Sequence, residues 1–243
     1  MKNNKDMGFW GKSPEEYANL KNESRKTILF PAVSNLIPLQ AGDSILDYGG
    51  GDGGFLELFI NNNVHKYLYD PSEGMIEFAR RNRCTIEEFD ISDEKLQANF
   101  FDAITLIHVV TVIREDAELQ RIFLRIHEIM KDDGAFVLGM THPAFKNNFF
   151  STFHTDFSIN KVEYEYLKNC LPYYVHLQGE KENEYLSFEC YHRSISMVMN
   201  TLIDTGFSIS KVLEVEDKDF RNPNKKYNFP PFLIIKSKKT KIK

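Results

Sequence analysis

Between residues 44 and 140 the chain alternates short apolar runs with stretches whose apolar positions recur every three to four residues. The short runs are Ser44–Tyr48 (SILDY), 67–70 (YLYD), 84–89 (CTIEEF), Phe101–Ile107 (FDAITLI) and 135–140 (AFVLGM), and each reads as a strand. Helical spacing marks 55–61 and 75–83, and 116–130 places Leu119, Ile122, Phe123, Ile126 and Ile129 on one face. Asp132-Asp133-Gly134 reads as a turn before the fifth strand. Strand and helix in strict alternation predict right-handed βαβ units and a parallel sheet. The runs at 103–107 and 135–140 are apolar without alternation, as in strands covered on both faces.

The flanks differ. Residues 1–40 are polar, then amphipathic, and Ser13-Pro14-Glu15-Glu16 has the composition of a helix start. A second helix is expected over 25–38, bent or broken at Pro31. Residues 143–192 are rich in Phe, Tyr, His and Asn and show no clear periodicity. Such a stretch inside a compact domain is functional or carries its own structure, and it reads as a lid over an acceptor. Beyond it, 194–205 looks helical, Gly206 stops the helix, and 207–215 and 232–236 look like two last strands. The chain, 1–243, is thus expected to be one α/β domain with an N-terminal helical cap (1–40) and a lid insertion (143–192).

Composition narrows the function classes. A net charge of −5 argues against a general nucleic-acid-binding surface. The basic segment at 236–243 (KSKKTKIK) reads as a solvated end. Cys84, Cys170 and Cys190 show no CxxC spacing, so free thiols in a reducing cytoplasm are expected. The first ten residues lack the apolar stretch of a secretory signal, and no apolar run approaches the roughly 18 residues of a membrane span. No His or acid spacing demands a metal.

Chemistry concentrates at Asp47-Tyr48-Gly49-Gly50-Gly51-Asp52-Gly53-Gly54, between a strand and a helical segment. Glycines let the backbone turn sharply and approach a ligand closely. Gly49, Gly51 and Gly54 satisfy GxGxxG, a dinucleotide fingerprint that is weak alone. The same residues fit D-x-G-x-G-x-G through Asp47, Gly49, Gly51 and Gly53. An acid just before the loop suits a ligand carrying an ammonium and a sulfonium, and suits a pyrophosphate poorly. Asp70, 19 residues beyond Gly51, ends the second strand where a carboxylate can accept both ribose hydroxyls. Asp90 and Ile91 follow the third strand, placed to meet an adenine amino group and ring.

In order and spacing, ILDYGGGDGGF, YLYDPSEGMIEFAR, EEFDIS, FDAITLIHVVTVI and KDDGAFVLGM resemble the successive motifs of class I, Rossmann-like S-adenosylmethionine-dependent methyltransferases. The resemblance covers about residues 44–140. The segment YHRSISMVMNTLIDTGF is similar, more weakly, to members that methylate small metabolites. The resemblance implies a three-layer sandwich on a seven-stranded, mostly parallel sheet in the order 3-2-1-4-5-7-6. It implies S-adenosylmethionine at the carboxyl ends of strands 1 to 4, contacted by Asp47, Gly49, Gly51, Asp70, Pro71, Met75, Asp90, Ile91, Ile107 and, from the cap, Tyr17. Tyr48 is a departure, since small or apolar residues are more frequent there.

Methyl transfer needs an aligned nucleophile, exclusion of water and, for a hydroxyl or ammonium acceptor, a proton acceptor. Three histidines are candidates for that work: His108, after the fourth strand, and His142, after the fifth, fall where an open α/β sheet binds ligands, and His192 opens the helix at 194. Phe145, Phe149, Phe150, Phe153, Tyr164, Tyr166, Tyr173 and Tyr174 are expected to wall the lid or fill its own core, and Phe9, Trp10 and Tyr17 to close the other side. The leading expectation is a cytoplasmic methyltransferase acting on oxygen or nitrogen of a small aromatic or amine acceptor, without nucleic-acid or membrane partners, its aromatic lid suited to pairing across a homodimer. The rivals are an RNA or protein methyltransferase, an NAD-dependent oxidoreductase, which Asp47 disfavours, and a cofactor-binding protein without catalysis.

Overall fold

The computed structural model describes residues 14–18, 24–90, 92–144, 153–157, 163–178, 185–216 and 229–240. A short helix α1 (Pro14–Ala18) and a wide helical turn at Arg25–Leu29 lead into α2 (Phe30–Ser34). The following elements are β1 (Ser44–Tyr48), β2 (His65–Tyr69), α3 (Glu73–Asn82), β3 (Glu88–Asp90), β4 (Phe101–Ile107), α4 (Asp116–Ile129) and β5 (Met130–Thr141). Three strands come next, β6 (Phe153–Asp156), β7 (Leu171–Gln178) and β8 (Tyr185–His192), then α5 (Ile195–Asp204), β9 (Phe207–Val215) and β10 (Phe232–Lys239).

The main sheet has the order β3-β2-β1-β4-β5-β10-β9. Its first five strands are parallel, and β10 enters antiparallel between β5 and β9. Counted within this sheet alone, that is 3-2-1-4-5-7-6, as the resemblance implies. Strands β6, β7 and β8 form a separate antiparallel sheet. Among the described residues, no helix is long and apolar enough to cross a membrane.

Side chains of the main sheet alternate between two apolar layers. One layer joins Leu29, Phe30 and Val33 of the cap, Ile76 and Ala79 of α3, and Phe153, Tyr173, Val175 and Cys190 of the small sheet. The other joins Leu119, Phe123 and Ile126 of α4 to Val198 and Leu202 of α5. Along β1, Ile45 belongs to the first layer, while Leu46 and Tyr48 belong to the second.

Several elements differ from expectation. Pro31 does not break its helix. The turn before it widens, with the Phe30 N–H donating to the Arg25 carbonyl, and so avoids the clash a proline ring makes in a tight α turn. The expected helix at 55–61 shrinks to one tight turn, Leu56–Phe59, which already buries Phe55, Leu56 and Phe59. Three asparagines then end it, Asn63 in the left-handed region at φ 48°. The third strand is only 88–90, because Ile86 is the one buried residue before it. The Asp132–Gly134 turn is instead a bulge within β5: Phe101 pairs with Met130, but Ala103 pairs with Ala135. The segment read as irregular carries the three strands of the small sheet.

Candidate functional site

The site is built at the carboxyl ends of β1 to β4, where the chain leaves each strand for a loop. After β1 the glycine loop folds against neighbours that leave no room for side chains. Gly49 sits at φ 75°, and a Cβ there would lie 2.5 Å from Val109 Cγ2. A Cβ on Gly50 would lie 2.3 Å from Leu68 Cδ1 and 2.6 Å from Asp47 Oδ2. Both the left-handed turn and the close approach therefore require glycine.

Asp70, just past β2, is held by the backbone. Its two carboxylate oxygens accept from Gly51 N–H (2.9 Å) and Ser72 N–H (2.8 Å). Its own N–H donates to the Asp90 carbonyl at 3.1 Å, tying the ends of β2 and β3 together. Asp47 is buried and accepts from Thr105 Oγ1 at 2.7 Å. Burial pushes the Asp47 carboxyl up to about 7, against the Thr105 hydrogen bond, with Asp52 and Asp70 adding to the rise. Burial likewise pushes Asp70 up to about 6, against the Ser72 and Gly51 amides. This is a pocket of crowded, desolvated negative charge, and a cationic ligand relieves it.

Sequence reasoning missed a buried cation beside that pocket. Arg25 is buried on the wide helical turn, its Nη1 donating to Tyr17 Oη at 2.5 Å and its Nη2 lying 3.6 Å from Asp52 Oδ2. The guanidinium stands over the Tyr17 and Phe30 rings, 4.8 and 5.1 Å from their centroids. Among the described residues its Nε has no hydrogen-bond partner. A signal was present: Arg25, Leu29 and Val33 recur every four residues, which sets an arginine on a buried stripe. Asp52 is also held by Arg83, at 3.5 Å.

Other expected cofactor residues fall around this centre. Tyr17 reaches it through Arg25. Pro71 is exposed, and Met75 is buried in the first turn of α3, which Ser72 caps. Asp90 ends β3, half-buried, and Ile107 ends β4 against the first apolar layer. Ile91 lies outside the described residues, as do Phe9, Trp10, Phe145, Phe149 and Phe150.

The three histidines are not brought into one cluster of hydrogen bonds. His108 follows β4 in the left-handed region, φ 61°, a conformation that non-glycine residues adopt mainly at constrained sites. Its ring meets Phe232 edge-on at 5.7 Å, and Phe232 stacks on Phe153 at 5.8 Å. Burial, with the Arg25 charge, pushes its pKa down to about 3. His142 is buried, and its Nδ1 accepts from the Ala144 N–H at 3.2 Å. Its Nε2 must then carry the hydrogen and donate to Glu214 Oε1 at 2.7 Å. His192 is enclosed by Tyr164, Tyr166 and Phe157, and its Nε2 donates to the Tyr166 carbonyl at 2.8 Å.

A buried arginine joins the small sheet to this site. Arg193 Nε donates to Asp116 Oδ1 at 3.0 Å, and its Nη1 donates to the carbonyls of Val110 (2.8 Å) and Ile113 (2.7 Å). The Tyr191 N–H adds a bond to the Thr111 carbonyl at 2.7 Å. The end of β8 therefore grips the loop that follows His108.

Comparison with known proteins agrees with this geometry. A family model described as a methyltransferase domain matches residues 22–178. An uncharacterised protein of Haemophilus influenzae is 25% identical over 231 residues, covering 86% of each chain. An S-adenosylmethionine-dependent methyltransferase of Mesorhizobium loti superposes with a TM-score of 0.61 at 20% identity, covering 86% of this chain and 96% of that one. A 1,6-didemethyltoxoflavin-N1-methyltransferase of Burkholderia thailandensis, solved with its substrate and S-adenosylhomocysteine, gives 0.59 at 14% identity, covering 94% and 84%. Carboxylates crowded at the ends of β1 and β2, a loop that only glycine fits and an arginine with an unpartnered buried Nε suit a ligand with an ammonium, a sulfonium and a carboxylate. The chain belongs to the methyltransferase-domain family with the class I fold, and is a methyltransferase whose cofactor is S-adenosylmethionine.

Proposed function

We propose that the protein methylates an oxygen or nitrogen of a small, flat acceptor in the cytoplasm, held beneath the lid at 143–192. The observation that carries this reading is the aromatic wall running from His108 through Phe232 to Phe153, which links the end of β4 to the small sheet. A wall of that kind suits a ring better than a polyanion, and the net charge of −5 adds to the argument against RNA.

Bound S-adenosylmethionine supplies an electrophilic methyl group. In this reading Asp70 accepts the ribose hydroxyls, Asp47 meets the ammonium, and Arg25 with Tyr17 meets the carboxylate. Asp90 faces the base. With its pKa held near 3, His108 stays neutral and orients the acceptor through a hydrogen bond, and the proton of the methylated oxygen or nitrogen leaves to solvent rather than to this ring. His142 and His192 hold the walls, their Nε2 hydrogens already committed to Glu214 and Tyr166.

The test supplies isotope-labelled methyl donor to phenols and heteroaromatic amines, with RNA and protein extracts in parallel arms. Label on a small molecule supports the reading. Label in RNA or protein alone rejects it, and no transfer to any arm favours the non-catalytic alternative.

A pH dependence follows from Asp47 and Asp70. Both carboxyls bind protons more tightly folded than unfolded, so their contribution to stability falls as pH rises through about 6 to 7. The ligand-free protein is expected to melt higher at pH 5.5 than at pH 8, other groups aside. Binding of S-adenosylhomocysteine has the opposite sign, weakening by about tenfold over the same drop as the carboxylates protonate. Calorimetry at the two pH values checks both, and equal affinity at both would remove these carboxylates from the ligand's ammonium and ribose.

A further inference from the structure

Tyr48 is a large aromatic residue between Asp47 and Gly49 of the glycine motif, and the structure gives it a task. Alternation along β1 sends its side chain into the layer opposite Asp47's neighbours, where it is buried against the Tyr69 ring at 4.4 Å. Its hydroxyl donates to Asp93 Oδ2. Arg121, from α4, donates to the same oxygen at 2.9 Å. Arg125, one turn on, donates from Nε (3.0 Å) and Nη2 (2.5 Å) to the Asp93 carbonyl, and from Nη2 to the Leu96 carbonyl at 2.6 Å. Three side chains from two elements thus fix the turn at 93–96, directly after β3 and Asp90. Burial would raise the Asp93 carboxyl, but the bonds from Tyr48 and Arg121 outweigh it and keep it below the usual range. Asp93 is therefore ionised, and Tyr48, pushed far up by burial, stays a donor.

These contacts exceed what holding a surface turn requires. Tyr48 sits between Asp47 and Gly49, so its hydroxyl bonds the start of the glycine loop to the segment beyond Asp90. The Asp70 N–H to Asp90 carbonyl bond adds a second link across the same gap. The ribose-facing and base-facing parts of the site are thereby held at a fixed separation.

We propose that Tyr48, with Asp93 and Arg121, is a positioning device for adenine: it sets the shape of the segment after β3, and through it the preference for adenine over other purines. The inference rests on the cofactor reading above. Tyr48 acts through the segment it holds and touches no reacting atom.

The experiment compares S-adenosylhomocysteine with S-inosylhomocysteine, in which an oxo group replaces the adenine 6-amino group, by calorimetry on the full chain. The wild type is expected to prefer the adenine ligand by at least about tenfold, one lost hydrogen bond. In Tyr48→Phe the adenine ligand should weaken about tenfold while the inosine ligand changes little, so the preference collapses to within about threefold. Arg121→Met, at a side chain 57% exposed, should shrink the preference in the same direction by a smaller factor. It keeps the test decisive if Tyr48→Phe folds poorly. A purely structural role would lower the melting temperature and leave the preference intact, and that result overturns the proposal. So does a wild type without preference. A wild type that binds neither ligand rejects the cofactor reading itself.

Discussion

Asp70→Asn is expected to weaken binding of S-adenosylhomocysteine about a hundredfold while the protein stays folded. Each Asp70 oxygen already accepts a backbone N–H, from Gly51 and from Ser72. An asparagine has one acceptor oxygen, so its amide hydrogens must face one of those two donors. The glycine loop loses a fixed point, and the ribose hydroxyls lose a charged acceptor. Hydrogen bonds to a charged group contribute about 1.5–3 kcal/mol each, and about 1.4 kcal/mol is a factor of ten in affinity. Two weakened bonds therefore amount to about two decades. Thermal melting without ligand, run alongside calorimetry, separates loss of binding from loss of fold. A dissociation constant within about threefold of the wild type's would falsify the ribose assignment.

Arg193→Met should lower the melting temperature by roughly 10 °C. Methionine nearly matches the arginine stem but leaves the carbonyls of Val110 and Ile113 unpaired in a region where Val110 and Cys190 are almost fully buried. It also leaves Asp116, half-exposed, without its ion-pair partner and, among the described residues, with only the Cys170 thiol donating to it. Removing one side of such a buried cluster costs about 3 kcal/mol, and a chain of this length loses about 2–4 °C per kcal/mol. Lysine should recover little, because a single ammonium cannot reach an acid and two carbonyls in the plane that a guanidinium spans. Calorimetric scans of both variants check this. A drop under about 2 °C in Arg193→Met would show that β8 is anchored by its other contacts.

The parts of this molecule legible in the sequence are those whose requirement is met by neighbours in the chain. Ser44–Tyr48 is apolar on both faces because it lies in the middle of a covered sheet, and the glycines follow at once because the turn leaves no room for Cβ atoms. Asp70 was legible as the acid that ends the next strand. The small sheet was not. Along β7, buried Leu171, Tyr173 and Val175 alternate with half-buried Pro172, Tyr174 and His176, so both faces carry rings and no contrast in polarity marks the period. Arg25 was hidden for another reason: Tyr17 lies in a separate helix eight residues before it and Asp52 in the glycine loop, and only its place on an apolar stripe hinted at burial. His108 and His142 were read as following strands and His192 as opening a helix, but the hydrogen-bond partners of the last two, Glu214 and Tyr166, are set by tertiary contacts that no local spacing reveals.

The last strand of the sheet sets the order in which the molecule can be completed. β10 lies between β5 and β9, and among the described residues β9 pairs only with β10. On the ribosome, the edge of β5 and the whole of β9 stay open until residues 232–239 emerge, because no earlier segment can fill the gap between them. An apolar edge left unpaired for that interval is a template for wrong pairing. The chain is therefore most open to wrong pairing in the interval between the emergence of β5 and that of β10, and its yield in the cell should respond to translation speed and chaperone supply over residues 207–239 more than to changes in the first βαβ units.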